Sequence, residues 1–169
     1  ALSYTWGDSS LLPGQIIVDG ETVEIPANLE VFLKKLRCSD KVRVLYADAI
    51  CIDQRDNREK GCQVQMMHEI YERATRVLSW LGPGSLGTEV FFERAITTVG
   101  YDPSSTLGSE PEGELLMETL ATDIVRLSYW KRAWTVQECL HANNIVFYCG
   151  SMNATWEQFM NLHDMVTSH

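Results

Sequence analysis

Trp134 and Glu138 stand four residues apart in Trp130-Lys131-Arg132-Ala133-Trp134-Thr135-Val136-Gln137-Glu138. On a helix, residues at that spacing share a face. A carboxylate held beside an indole is partly desolvated, and desolvation raises a glutamate pKa toward the range useful for catalysis. The same spacing also fits a surface Glu138 beside a core Trp134, paired with Lys131 or Arg132. A second acidic group, Asp48 and Asp53, lies in Val44-Leu45-Tyr46-Ala47-Asp48-Ala49-Ile50-Cys51-Ile52-Asp53-Gln54. Apolar β-formers on both faces of that run predict a central strand of a parallel sheet. Ligands of open α/β sheets bind beyond the carboxyl ends of the strands, so Asp48, Asp53 and Gln54 are expected at such an edge. A buried Asp48 needs hydrogen-bond partners, and backbone amides at the strand end would also supply them. Trp6-Gly7-Asp8 follows the first apolar run. Gly7 permits close backbone approach, and Asp8 can meet a ribose hydroxyl or a basic group. A plain Gly-Asp turn is the other reading.

Several other chemistries lack their residues. Asp53, Asp56 and Asn57 do not place the glycine and distal glutamate of a calcium loop. No G-x-G-x-x-G or P-loop motif is read from the chain, and Gly82-Pro83-Gly84 reads as a strand terminator, so neither a P-loop nor an ordinary dinucleotide fold is expected. His68, His141, His163 and His169 form no HExxH pattern, and Ser3 and Ser79 lack a GxSxG context. The five cysteines include no CxxC pair, so no structural zinc, and no metal of any kind, is expected. Their odd number and irregular spacing suit a reducing, cytoplasmic setting. Cys51 and Cys149 sit in strand-like runs and are expected as buried thiols. Trp80, Trp134 and Trp156 are expected in the core by residue type.

The positioning elements follow from periodicity. Strands are predicted over 2–6, 16–18, 21–25, 76–81 and 145–149, besides the run from 44. Asp19-Gly20 joins the second and third as a hairpin. Leu29, Phe32, Leu33 and Leu36 form one helix face, with Asn28 as its N-cap. Further helices are predicted over 58–74, 88–99, 114–128 and 130–142. In the helix over 88–99, Phe92, Ala95, Ile96 and Val99 are expected to face inward. A last helix begins at Trp156 behind a Thr155 cap, and 100–113 reads as a long loop. Strands alternating with helices predict an α/β fold: a three-layer, mostly parallel sheet flanked by helices.

The 169 residues suit one domain. A net charge of −9, with no basic cluster longer than Lys34-Lys35 or Lys131-Arg132, argues against a nucleic-acid partner. No apolar stretch approaches the ~20 residues of a membrane span. The chain starts without Met and ends in helical periodicity, so residues 1–169 are expected to be a single domain cut from a longer protein.

Three blocks carry a specific resemblance. Leu2-Ser3-Tyr4-Thr5-Trp6-Gly7-Asp8, Tyr46 to Gln54, and Trp134-Thr135-Val136-Gln137-Glu138 match, in order, signature blocks of the fungal heterokaryon incompatibility (HET) domain. Gln63 to Tyr71 and Val77 to Gly82 also resemble that family, and the likeness covers most of residues 1–150. Tyr46 departs from the pattern, where Trp is common. HET domains are implicated in nonself recognition ending in programmed cell death. They are distantly similar to Toll/interleukin receptor (TIR) domains, which implies a TIR-like (flavodoxin-like) fold with extra helices. Leu2-Ser3-Tyr4 with Asp8 resembles the first TIR box. Trp134 and Glu138 resemble the TIR Trp-Cys-x-x-Glu pattern, with Thr135 replacing Cys. In NAD-cleaving TIR domains that glutamate is catalytic. The resemblance thus implies Glu138 as the catalytic residue of an NAD glycohydrolase. Trp6, Gly7, Asp8, Asp48, Asp53 and Trp134 would line the site for NAD, which is a substrate here. Two other classes stay open: a non-enzymatic signalling module working by self-association, and an inert nucleotide-binding scaffold.

Overall fold

A short run, Val77–Gly82 (β4), buried through Leu81, forms the middle of the sheet in the computed structural model, which describes residues 1–7, 12–97 and 122–160. β1 (Leu2–Tyr4) pairs parallel to β4, with Ser3 opposite Ser79. β5 (Ile145–Cys149) pairs parallel on the other side of β4, and β6 (Met152–Thr155) closes the sheet antiparallel to β5. The order is β1-β4-β5-β6, with a separate antiparallel hairpin of β2 (Gly14–Val18) and β3 (Glu21–Ile25). The expected α/β class and mostly parallel sheet are therefore present. β6 was not anticipated: its four residues, Met-Asn-Ala-Thr, carry no run of β-formers.

Helices cover both faces because the strands alternate two apolar sets. Leu78, Trp80 and Val146 join Leu2 and Tyr4 beneath α1 (Ala27–Leu36). Val77, Leu81, Ile145, Phe147 and Cys149 face α3 (Asn57–Arg73) and α4 (Leu86–Thr97). The first core centres on Phe32, stacked on Trp80 at 5.1 Å with neither ring more than 2% exposed. Phe32→Ala is expected to cost about 3–5 kcal/mol by opening a cavity there, read as a fall in denaturation midpoint.

The run from Val44 is not a central strand. Residues 42–47 form no strand, and one backbone bond ties this segment to β1, the edge of the sheet, Leu2 N–H to the Tyr46 carbonyl at 2.8 Å. Val42 and Val44 are 93% and 97% exposed, so the apolar run is not covered on both faces. The Asp48 carboxylate then accepts the Ala49 N–H at 2.9 Å, and the chain turns into the short helix α2 (Asp48–Cys51). Cys51 is consequently exposed rather than buried, while Cys149 is buried as expected.

Other differences are local. α1 starts behind Pro26, and Asn28 sits inside the helix, its side chain used elsewhere. α3 is capped by Asp56, which accepts from the amides of Arg58 and Glu59. In α4, Phe91, Phe92 and Ala95 are buried, whereas Ile96 is exposed. The helix predicted over 130–142 divides at Arg132 into a 3-10 turn, Ser128–Lys131, and α5 (Ala133–Leu140). Thr155 and Gln158 cap the last helix reciprocally, Gln158 N–H to Thr155 Oγ1 and Thr155 N–H to Gln158 Oε1. Trp80 is core, but Trp134 and Trp156 are exposed. Val99, the loop over 100–113 and residues 114–121 of the helix predicted over 114–128 lie outside the described residues; of the rest, 122–125 are helical and 126–128 turn into the 3-10 segment. No helix among the described residues is long and apolar enough to cross a membrane.

Candidate functional site

The carboxyl end of β1 and the start of α5 converge on one polar layer. Ser3 lies on the sheet face opposite α1, fully buried, and Glu138 of α5 packs over it at 1% exposure. The Ser3 hydroxyl donates to Glu138 Oε2. Ser3 has a single proton, so the Tyr129 hydroxyl, 2.7 Å away, is the donor to Ser3 Oγ. Cys139 Sγ lies 3.6 Å from that same phenol oxygen. Arg132, the residue between the 3-10 turn and α5, places Nη2 3.7 Å from Glu138 Oε1. Its Nη1 donates to the Tyr4 carbonyl, the last of β1. Burial pushes the Glu138 carboxyl above its ordinary value; the Ser3 hydroxyl and the Arg132 charge pull it back, and the nearby Asp48 carboxylate adds to the rise.

Burial of Glu138 comes from α5 docking on β1, not from the tryptophan. Thr135 and Glu138, three apart, are the buried residues of α5, while Trp134 is 41% exposed. Neither reading of the Trp134–Glu138 spacing anticipates a sealed glutamate beside an exposed indole. Thr135 has its own use: its hydroxyl donates to the Tyr129 carbonyl at 2.9 Å and ties α5 to the 3-10 turn.

A raised pKa makes the folded state hold its proton more tightly than the unfolded chain does. Glu138 therefore favours folding at low pH, and that contribution is lost as pH rises from about 4.5 through the raised folded value. The thermal midpoint of a Glu138→Gln variant is expected to gain on the parent across that window. Equal pH dependence in the two proteins would contradict it.

Above this layer opens a cleft of about 710 Å³, beyond the carboxyl end of β1. Trp6 and Trp134 stand in its walls, 43% and 41% exposed, with Asp48 and Arg132 between aromatic and polar sides. Asp48 is held firmly: Tyr4 Oη donates to Oδ1 at 2.6 Å and the Trp6 indole N–H to Oδ2 at 3.1 Å, besides the Ala49 amide. Three donors leave a carboxylate room for one more, such as a sugar hydroxyl. Gly7 also lines the cleft, at φ +88°, a backbone shape few other residues adopt. Burial and the Asp48 charge raise the Tyr4 phenol pKa. Burial, with Asp48 and Glu138 also contributing, lifts Tyr46 to about 12. The Tyr46 hydroxyl is buried without a hydrogen-bond partner among the described residues.

The structure thus brings together Trp6, Gly7, Asp48 and Trp134, and sets Glu138 behind Arg132 rather than in the cleft wall. Asp53 is elsewhere, accepting the Arg55 amide at 2.9 Å in the turn before α3. Asp8 lies outside the described residues. Arg132 and Ser3 are the partners that sequence reasoning did not assign to a site; Arg132 entered only as an ion-pair option, and Ser3 as part of the first resemblance block and as a serine without a hydrolase context. No group of three His, Cys, Asp or Glu that could hold a metal occurs among the described residues.

A second cleft, of about 480 Å³, adjoins the first at Thr5–Gly7 and Ser128. It is bordered by the turn after β4, where Gly82, Gly84 and Gly87 follow the spacing G-x-G-x-x-G. The expectation that the chain has no G-x-G-x-x-G is therefore corrected: the terminator reading of Gly82-Pro83-Gly84 passed over Gly87. The structure puts the motif between a strand and a helix, the context in which such spacing carries meaning.

A family model described as Heterokaryon incompatibility protein (HET) matches residues 1–138. The chain belongs to the HET family. It is 30% identical to Heterokaryon incompatibility protein 6, OR allele, of Neurospora crassa, over 89% of this chain and 28% of that protein. The chain therefore spans less than a third of that curated relative. No solved structure matches it. The match through residue 138 means that the HET region takes in every residue of the polar layer except Cys139.

Proposed function

We propose that this HET domain cleaves NAD at the nicotinamide–ribose bond, as an effector of heterokaryon incompatibility, the process named in its Neurospora relative. The observation that carries the reading is Glu138, a buried carboxylate of raised pKa directly under a cleft with two exposed indoles. Its motif position is the one that resembles the catalytic glutamate of NAD-cleaving TIR domains.

The chemistry asks little of the protein. Nicotinamide departs as a neutral base, so no general acid is needed. The transition state is oxocarbenium-like, as in glycoside hydrolysis, and one carboxylate stabilises it. Water then adds to the ribose C1 and releases a proton, leaving ADP-ribose, nicotinamide and H⁺. Trp6 and Trp134 are placed to flank the nicotinamide, and Asp48 to accept a ribose hydroxyl. Arg132 would answer the pyrophosphate. An anion that draws Arg132 off the Tyr4 carbonyl also uncovers Glu138, so substrate binding and exposure of the carboxylate are one movement in this reading.

The test is nicotinamide release from NAD by the purified protein. No release, from protein that is folded and tested both dilute and concentrated, would sink the proposal. Trp134→Ala is expected to weaken NAD binding about tenfold, since base–aromatic stacking contributes about 1–3 kcal/mol. Isothermal titration measures it, and the exposure of Trp134 leaves the fold unaffected.

One observation favours a second reading. Glu138 is sealed from the cleft by an ion pair, which is also how a structural carboxylate would look. On that reading the domain signals by self-association without catalysis, no nicotinamide is released from NAD, and Glu138→Gln leaves assembly unchanged.

A further inference from the structure

The second cleft differs from the first in the chemistry of its walls. The first presents Asp48 and Arg132. The second has no charged residue in its lining. Val31 of α1, Leu81, Pro83 and Leu127 supply apolar surface. The polar side chains of Thr5, Asn28, Ser85 and Thr88 are already engaged. Asn28 donates to the Thr5 carbonyl at 2.8 Å and accepts from the Trp80 indole at 2.8 Å. Ser85 N–H donates to Thr88 Oγ1 at 2.6 Å, and the Thr88 hydroxyl to the Ser85 carbonyl at 2.9 Å. Such a groove suits a flat, neutral, largely apolar group, and it is badly suited to a free charge.

The two clefts meet over Thr5, Trp6, Gly7 and Ser128. Gly7 keeps that crossing free of a side chain. On the far side, a Cβ at Gly82 would meet nothing within 4 Å, so the backbone at Gly82 faces open space, whereas Gly84 packs against Gly150 and Thr88. A ligand can therefore run from Asp48 and Arg132, across Gly7, to the turn after β4 without leaving the surface depression.

We infer that the second cleft is the adenosine subsite of the substrate. The adenine lies against Val31 and Leu127, and the pyrophosphate crosses at Gly7 within reach of Arg132. This rests on the NAD reading above and deepens it: the domain recognises a dinucleotide, not merely a nicotinamide ribotide.

Nicotinamide mononucleotide carries the scissile bond and lacks the adenosine half. The experiment compares kcat/KM for NAD and for nicotinamide mononucleotide, each followed by nicotinamide release, in the parent protein and in Val31→Trp. Val31 is 46% exposed, so the larger ring extends into the groove from a surface position. The parent is expected to favour NAD by at least about tenfold, and Val31→Trp to bring that ratio toward one, mainly through KM for NAD. The parent ratio needs no variant and stands if Val31→Trp does not fold. Equal use of both substrates by the parent, or a ratio untouched in a folded Val31→Trp, overturns the subsite and leaves the NAD reading intact. Failure to cleave either substrate overturns both.

Discussion

Glu138→Gln is expected to lower nicotinamide release from NAD by about 10²–10³-fold, the usual loss when a group aimed at transition-state charge is removed. Gln keeps the size of the side chain and an oxygen able to accept from Ser3 Oγ, so α5 should stay docked on β1. What it loses is the negative charge that would face the ribosyl cation in the proposed mechanism. The acid limb of the parent pH–rate profile would follow from the same side chain. In that mechanism Glu138 acts ionised, and burial raises its pKa above 4.5, so activity is expected to fall with decreasing pH at values above those of an exposed glutamate. Full turnover in a folded Glu138→Gln protein would assign the chemistry to another group.

Arg132→Ala is expected to destabilise the domain by about 2 kcal/mol at neutral pH. Fully buried ion pairs lose roughly 3–5 kcal/mol when one partner is removed. Arg132 is 23% exposed and its guanidinium stands 3.7 Å from Glu138, which places this pair below that range. Removal leaves a carboxylate at 1% exposure without its counter-ion, held by the Ser3 hydroxyl with a smaller contribution from Tyr71, and strips a donor from the Tyr4 carbonyl. Two consequences separate charge from packing. The cost should shrink as pH falls and Glu138 takes up a proton, because the neutral acid needs no counter-ion. Glu138→Gln in the Arg132→Ala background should restore part of the lost stability, since the uncompensated charge is gone. Urea denaturation of the four proteins at two pH values measures both. A cost independent of pH and of residue 138 would show that Arg132 acts through its contact with Tyr4 alone.

The layers of the fold were legible because periodicity reports burial. Leu29, Phe32 and Leu36 line the buried face of α1, and Val77 to Leu81 form a central strand, as their spacing implies. The run from Val44 misled for a physical reason. Its residues have strand propensity, but propensity is silent about whether a partner lies on each side, and only β1 does. The site was legible as types and not as geometry. Trp6, Asp48 and Trp134 meet in one cleft although 42 and 86 residues separate them in turn, a convergence produced by the docking of α5 on β1 and by the bonds that hold Tyr46 and Asp48 to Leu2, Tyr4 and Trp6. Ser3 carries no sequence signal as a partner of Glu138, because its role depends on which sheet face it occupies. Arg132 was obscured by the expectation of an unbroken helix; the break at that residue is what turns its guanidinium onto Tyr4.

The central claim is that Glu138 reaches the ribose of NAD once Arg132 has moved to the pyrophosphate. A crystal structure of the domain with ADP-ribose bound tests it most directly. The expected result is a Glu138 carboxylate within hydrogen-bond distance of the ribose, about 3 Å, with Arg132 released from the Tyr4 carbonyl. Ligand bound in the cleft, with Glu138 still closed against Ser3 and Arg132, would contradict it.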